Sequence, residues 1–153
     1  MASHEEAKRT EGALLTARVL KRLGKASLDT LGQRISCQKA AYFAKRLGII
    51  PDYQYNLYIH GPYSPGLADD LYALRKDFQQ LSPVSFANEE LEEKFLRLER
   101  WIAGLSPRQL ELLATYDWLD RSGQRAGEML KSLKHASEDE VRWCEGKLQG
   151  FIA

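Results

Sequence analysis

Ser64 follows His60 by four residues, close enough in the chain to suggest a hydroxyl nucleophile with an imidazole base. That chemistry needs a third group to orient the base, and no residue nearby supplies one at a fixed spacing. His4, His60 and His135 are the only histidines, and neither a His-x-x-x-His nor a Cys-x-x-Cys pattern occurs, so no metal site is expected. Asp69 and Asp70 are adjacent in a helical stretch and so project about 100° apart, a poor arrangement for a shared dyad. They suit the first turns of that helix instead. The eleven glycines are scattered and form no phosphate-cradling loop. No catalytic residue and no cofactor are expected, and a hydrolase built on His60 and Ser64 stands as the last alternative.

The same segment holds a denser cluster of another kind. Tyr53, Tyr55, Tyr58, His60, Tyr63 and Tyr72 fall within 20 residues, around the run His60-Gly61-Pro62-Tyr63-Ser64-Pro65-Gly66-Leu67. One reading is architectural: Gly61-Pro62 ends a strand, Ser64 caps the next helix, and Pro65 sits where its missing N–H costs nothing. The other is functional, because tyrosines give rigid amphipathic contact area and a helix start beside them favours an anion. Tyr58 and His60 share an outer face if Leu57 and Ile59 point inward. The candidate partner-binding residues are therefore Tyr58, His60, Gly61, Pro62, Tyr63 and Ser64.

A basic stripe is the second candidate. Residues 1–78 carry 12 basic against 8 acidic side chains, whereas residues 79–153 carry 10 against 13. The excess gathers in Lys8, Arg9, Arg18, Lys21, Arg22, Lys25, Arg34, Lys39, Lys45 and Arg46. If the second helix entered a duplex, Arg34, Ser36, Gln38, Lys39, Lys45 and Arg46 would meet it, mostly at phosphates, with Gln38 at a base edge. A pI near 7.8 is low for such a role, since nucleic-acid-binding domains usually exceed about 9. The plain alternative is a solvated helix face.

These residues need elements to hold them. The chain has 153 residues, 44% hydrophobic and 28% charged, which suits one globular domain and excludes wholesale disorder. No apolar run approaches the ~20 residues of a membrane span, and no signal-peptide pattern opens the chain. Cys37 and Cys144 form no framework, so a reducing cytoplasm is expected.

A first helix is predicted from about Glu5 to Leu23, with Leu15, Val19 and Leu23 on one face. Lys25 to Gln33 read as a connector with one helical turn. A second helix runs from about Ser36 to Leu47, burying Ala40, Phe43, Ala44 and Leu47 and leaving Gln38, Lys39, Lys45 and Arg46 wet. Tyr53 to His60 alternates with the period of a half-buried strand. Its predicted partner is Pro83–Ala87, with a helix carrying Leu67, Leu71, Leu74 and Phe78 between the two. The rest reads as helices opened by Asn88, by the capping box Ser106-Pro107-Arg108-Gln109, and by Ser137-Glu138-Asp139-Glu140. The helix after Pro107 is apolar nearly all round and belongs at the centre. Trp101, Trp118 and Trp143 are expected in the core or at its rim.

The fold class is thus mainly α (α+β): a single-domain helical bundle over residues 1–153 with a small two-stranded antiparallel ribbon. Its N-terminal part, 5–87, has a winged-helix-like order, and its C-terminal part, 88–151, is helical.

Gln38-Lys39, Tyr42-Phe43, Tyr58-Ile59-His60-Gly61-Pro62-Tyr63-Ser64-Pro65, Leu67 and Asp70-Leu71 resemble the pattern of the YwgA-like family of uncharacterised prokaryotic proteins. More remotely they resemble the Panacea domain of SocA-like antitoxins. The region from Leu110 through Leu119 to Ser137–Glu140 is similar to the YwgA-like C-terminal region, and Cys37 stands where that family usually has leucine before Gln-Lys. The Panacea likeness implies a non-catalytic domain that neutralises a protein partner by direct binding, in a toxin–antitoxin or phage-defence setting. The leading expectation is accordingly a regulatory or protein-interaction module of that type, with a protein partner such as a toxin. A winged-helix-like DNA-binding regulator is the alternative, and self-association through an unpaired ribbon edge would give a homodimer.

Overall fold

The computed structural model describes residues 4–151, with side chains from Glu11 onward. Seven α-helices and one two-stranded sheet are formed among them: α1 (His4–Arg22), α2 (Leu31–Arg46), β1 (Asn56–Tyr58), β2 (Gly61–Tyr63), α3 (Pro65–Leu74), α4 (Glu89–Ile102), α5 (Pro107–Arg121), α6 (Ala126–Lys134) and α7 (Glu138–Gln149). A 3₁₀ turn, Arg75–Asp77, extends α3. His4 opens α1, and its side chain lies outside the described residues.

Helix starts obey local chemistry. Ser64, Asn88, Ser106 and Ser137 each accept a hydrogen bond from a backbone N–H of the following turn, and Ser106 and Ser137 complete capping boxes with Gln109 and Glu140. The second helix begins five residues earlier than its apolar stripe suggests. Thr30 caps it and forms a capping box with Gln33, which turns the last third of the expected connector into helix.

The core is one contiguous cluster that draws residues from Ala17 to Cys144, so both parts of the chain bury their apolar faces together. α2 and α5 pack against each other at its centre, with α4, α6 and α7 around them and α3 against α1. α5 buries Leu110, Leu112, Leu113, Ala114 and Leu119, as a helix apolar nearly all round must. Trp101 is buried against Phe43 at a ring-centroid distance of 4.9 Å, and Trp118 and Trp143 are partly buried at the core's edge.

Two expectations are corrected. In α2, Ser36 to Ala44 are buried without a break, so Gln38 and Lys39 are interior rather than solvated. The ribbon does not pair Tyr53–His60 with Pro83–Ala87. β1 pairs antiparallel with β2, in register Asn56↔Tyr63, Leu57↔Pro62 and Tyr58↔Gly61. Gly61-Pro62 thus forms the return strand instead of ending the first. Pro62 is tolerated because a proline can lie in a two-stranded edge where no further ladder bond is asked of its nitrogen. Pro83–Ala87 lies along α1 instead. Val84 N donates to Arg18 O (3.2 Å), Arg18 Nε to Ser82 O (3.0 Å) and Lys21 Nζ to Phe78 O (2.6 Å). The element order is helix, helix, hairpin, helix, and the most enclosed helix occupies the place a winged helix gives to its exposed reader.

Candidate functional site

The hairpin is held by side chains that bond its main chain. From α2, Gln38 Nε2 donates to Ser64 O and accepts from Ser64 N through Oε1, both at 3.0 Å. This reciprocal pair does for Ser64 what a neighbouring strand would do. The next residue, Lys39, is fully buried and donates from Nζ to Pro62 O at 2.7 Å. Burial pulls its ammonium down to about 8, while the carboxylate of Glu111 works the other way and the charge of Lys134 adds to the fall. Glu111, on α5, reaches His60 Nδ1 at 3.2 Å and Lys134 Nζ at 3.3 Å. Lys134, the last residue of α6, also donates to Ile59 O.

Gly61 completes the arrangement. Its φ of +87° supplies the left-handed position that follows the turn, since neither Ile59 nor His60 has a positive φ. A Cβ at Gly61 would stand 2.4 Å from Thr115 Oγ1, so α5 approaches the strand closer than any other residue permits. Residues from α2, α5 and α6 therefore converge on one short hairpin.

What the hairpin presents outward is apolar and aromatic. Ile59 at its tip is 84% exposed, Tyr58 is 50% exposed, and Leu57 is exposed beside them. The Tyr63 ring meets Tyr58 edge-to-face at 5.5 Å. Tyr63 also lines a cavity of about 780 Å³ between the start of α2 and α3, with exposed Tyr72 across from it and Arg34 and Cys37 along the wall. The Arg75 guanidinium covers the Tyr72 ring at 3.8 Å.

Of the six partner-binding candidates, Tyr58 is exposed and His60 and Tyr63 are half-buried, whereas Gly61, Pro62 and Ser64 are buried and serve the hairpin's construction. Leu57 and Ile59, expected inside, are outside, because the two-stranded ribbon turns that face to solvent and only Tyr55 of the run is packed in the core. Ser64 Oγ accepts from Leu67 N, and among the described residues it has no hydrogen bond with His60. The basic candidates are dispersed as well. Gln38 and Lys39 are corrected to interior clamps and Ser36 is buried. Lys45 Nζ donates to Tyr53 O (2.6 Å) and pairs with Asp52 (3.1 Å), while Arg46 pairs with Asp117 (2.9 Å). Arg34 alone of the group is exposed, and its Nη1 donates to Leu28 O.

Glu111 and Lys134 are the site residues that pattern reading misses. Each looks like an ordinary charged helix residue in sequence, and only the hairpin's position gives them a task. Burial pushes the Cys37 thiol up to about 11 and Cys144 to about 12, which leaves both protonated and poor nucleophiles. Among the described residues no group of three or more His, Cys, Asp or Glu side chains is placed to hold a metal ion, and no helix is long and apolar enough to cross a membrane.

Comparison of the chain with protein-family models, with curated proteins and with solved structures finds no match.

Proposed function

We propose that the chain is a non-catalytic protein-interaction module, of the regulatory antitoxin or defence-associated type, that docks a protein partner such as a toxin on the tip of its hairpin. One observation carries this reading: Ile59 is 84% exposed on a hairpin whose main chain is gripped from two helices, α2 and α6. An exposed isoleucine with Leu57, Tyr58 and Tyr63 on the same hairpin gives the tip the apolar and aromatic composition of an interface centre. A loop already fixed in place loses less conformational freedom on docking than a mobile one, so the same contacts give more affinity. The resemblance of Gln38-Lys39 and the Gly61–Pro65 run to the YwgA-like and Panacea patterns supports the same class of action. Two free, buried thiols fit a reducing cytoplasm as its setting.

The test places a photo-crosslinking residue at position 59 in cells of the native host. The expected result is one heteromeric adduct of defined mass, much weaker when the same residue replaces exposed Glu128 on α6. Equal adducts from both positions, or adducts of the chain with itself only, would overturn the proposal.

A further inference from the structure

A second concave site lies between the C-terminal turns of α2 and α5, and it shares no residue with the hairpin tip. The cavity measures about 490 Å³, within the range of small-ligand sites. Tyr42, Tyr55 and Trp118 contribute aromatic walls, and Lys45, Arg46 and Arg121 contribute three cations against one lining acid, Asp52.

The cations differ in how far they are engaged. Lys45 is positioned by Tyr53 O and Asp52, and Arg46 by Asp117. Arg121 is exposed and, among the described residues, makes no hydrogen bond or ion pair. Its charge is nevertheless felt inside, where it opposes the rise that burial imposes on Tyr42 and Asp117. A free guanidinium beside two positioned cations suits a phosphate, which it can take bidentately.

The walls add a second observation. Tyr55 is 6% exposed, and its hydroxyl is buried without a hydrogen-bond partner, one of two such side-chain atoms among the described residues. The hydroxyl has no accessible surface, so Tyr55 meets the cleft through its ring. Aromatic walls favour a planar ring as the ligand's other half.

We propose that this cleft binds a ligand that joins a planar ring to a phosphate, of the mononucleotide class, with Arg121 and Lys45 on the phosphate and Trp118 against the ring. The test titrates AMP, GMP, CMP and UMP into the full chain by calorimetry, with adenosine and inorganic phosphate as separate arms. At least one mononucleotide is expected to saturate a single site at submillimolar concentration, with adenosine and phosphate each at least tenfold weaker. Arg121→Gln leaves the melting curve unchanged and weakens that binding at least tenfold. Failure of all four nucleotides to saturate, phosphate binding as tightly as the nucleotide, or an unchanged affinity in Arg121→Gln would each overturn the assignment. None of these outcomes bears on crosslinking at position 59.

Discussion

Lys39 Nζ lies 2.7 Å from Pro62 O in an interior where the lysine side chain has no contact with solvent. A helix residue that looks solvated by type is therefore the fastening of a hairpin it precedes by more than twenty positions. Its sign in the pH dependence follows from linkage. The ammonium titrates near 10.5 when the chain is unfolded and at about 8 in the fold, chiefly through burial. Between those values the unfolded chain holds a proton that the folded one has released, so stability rises with pH across that window. The cost of the buried charge, roughly 3 kcal/mol at neutral pH, is relieved as pH climbs. Cys37, raised to about 11 from 9.0, acts oppositely at pH 9–11, since the unfolded thiol ionises first. Urea unfolding of the wild type and of Lys39→Met, at pH 7.5 and pH 10, separates the two. The difference should shift by about 2–3 kcal/mol in favour of the wild type at the higher pH. A difference that stays flat would refute the burial cost.

Gly61→Ala should destabilise by about 3 kcal/mol, from the left-handed backbone and from overpacking against Thr115 Oγ1 at 2.4 Å. Thr115→Ala opens that space and removes a buried hydroxyl that lacks a partner. The double variant should recover at least 1 kcal/mol relative to additivity, a coupling typical of residues in direct contact. A double-mutant cycle by chemical denaturation measures it, and additive losses would mean the two elements do not press on each other.

Gln38→Leu removes the acceptor of the buried Ser64 N–H and one of two donors to Ser64 O, which keeps Ala68 N. Leaving that N–H unpaired should cost about 1–3 kcal/mol, and amide exchange should quicken first at the hairpin and the start of α3. Exchange that quickens uniformly over all helices would argue against a local clamp.

Tyr58→Ser with Ile59→Ser should change the melting temperature little, because both side chains are largely exposed and surface changes usually stay within about 0.5 kcal/mol each. The same pair should abolish the partner adduct formed by a photo-crosslinking residue placed at exposed Leu57 instead. Unfolding of the double variant would make the tip structural.

Duplex DNA should bind weakly and with a shallow salt dependence. Arg22 is paired twice with Glu92 at 2.6 Å, Arg46 with Asp117, and Lys39 is enclosed, so few of the basic residues are left to release counterions. Fluorescence anisotropy with a random duplex at 50 and 200 mM salt reads this directly. A fall in affinity of a thousandfold would restore the DNA-binding alternative.

The parts of the fold legible in sequence were those governed by local rules. Ser64, Asn88, Ser106 and Ser137 cap helices because a side-chain oxygen three residues from a free N–H is a short-range arrangement, and α5 is central because its apolar residues leave it no wet face. Thr30-Leu31-Gly32-Gln33 obeys the same capping rule, but it precedes the apolar stripe of α2 and so reads as connector. What polarity alone misplaced was Gln38 and Lys39, whose partners are carbonyls and an amide over twenty residues away. The candidate site was half legible. Tyr58 and Tyr63 stand out by type, but alternation assigned Leu57 and Ile59 to an interior face that a two-stranded ribbon, lying only partly on the core, does not cover. Gly61-Pro62 looked like a terminator because proline lacks a donor, and a hairpin this short asks for none there.

Apart from the His60–Glu111 contact, the grips on the hairpin close on main-chain atoms: Ser64 N and O, Pro62 O and Ile59 O. Such atoms are the same whatever side chain they carry. The letters at positions 57–59 can therefore be rewritten without loosening the mount, much as a tool head is exchanged on a fixed shaft. A scaffold built this way can acquire new specificities by substitution at three positions, and a library randomised there, displayed on the otherwise unchanged chain, would retain the fold in most of its members.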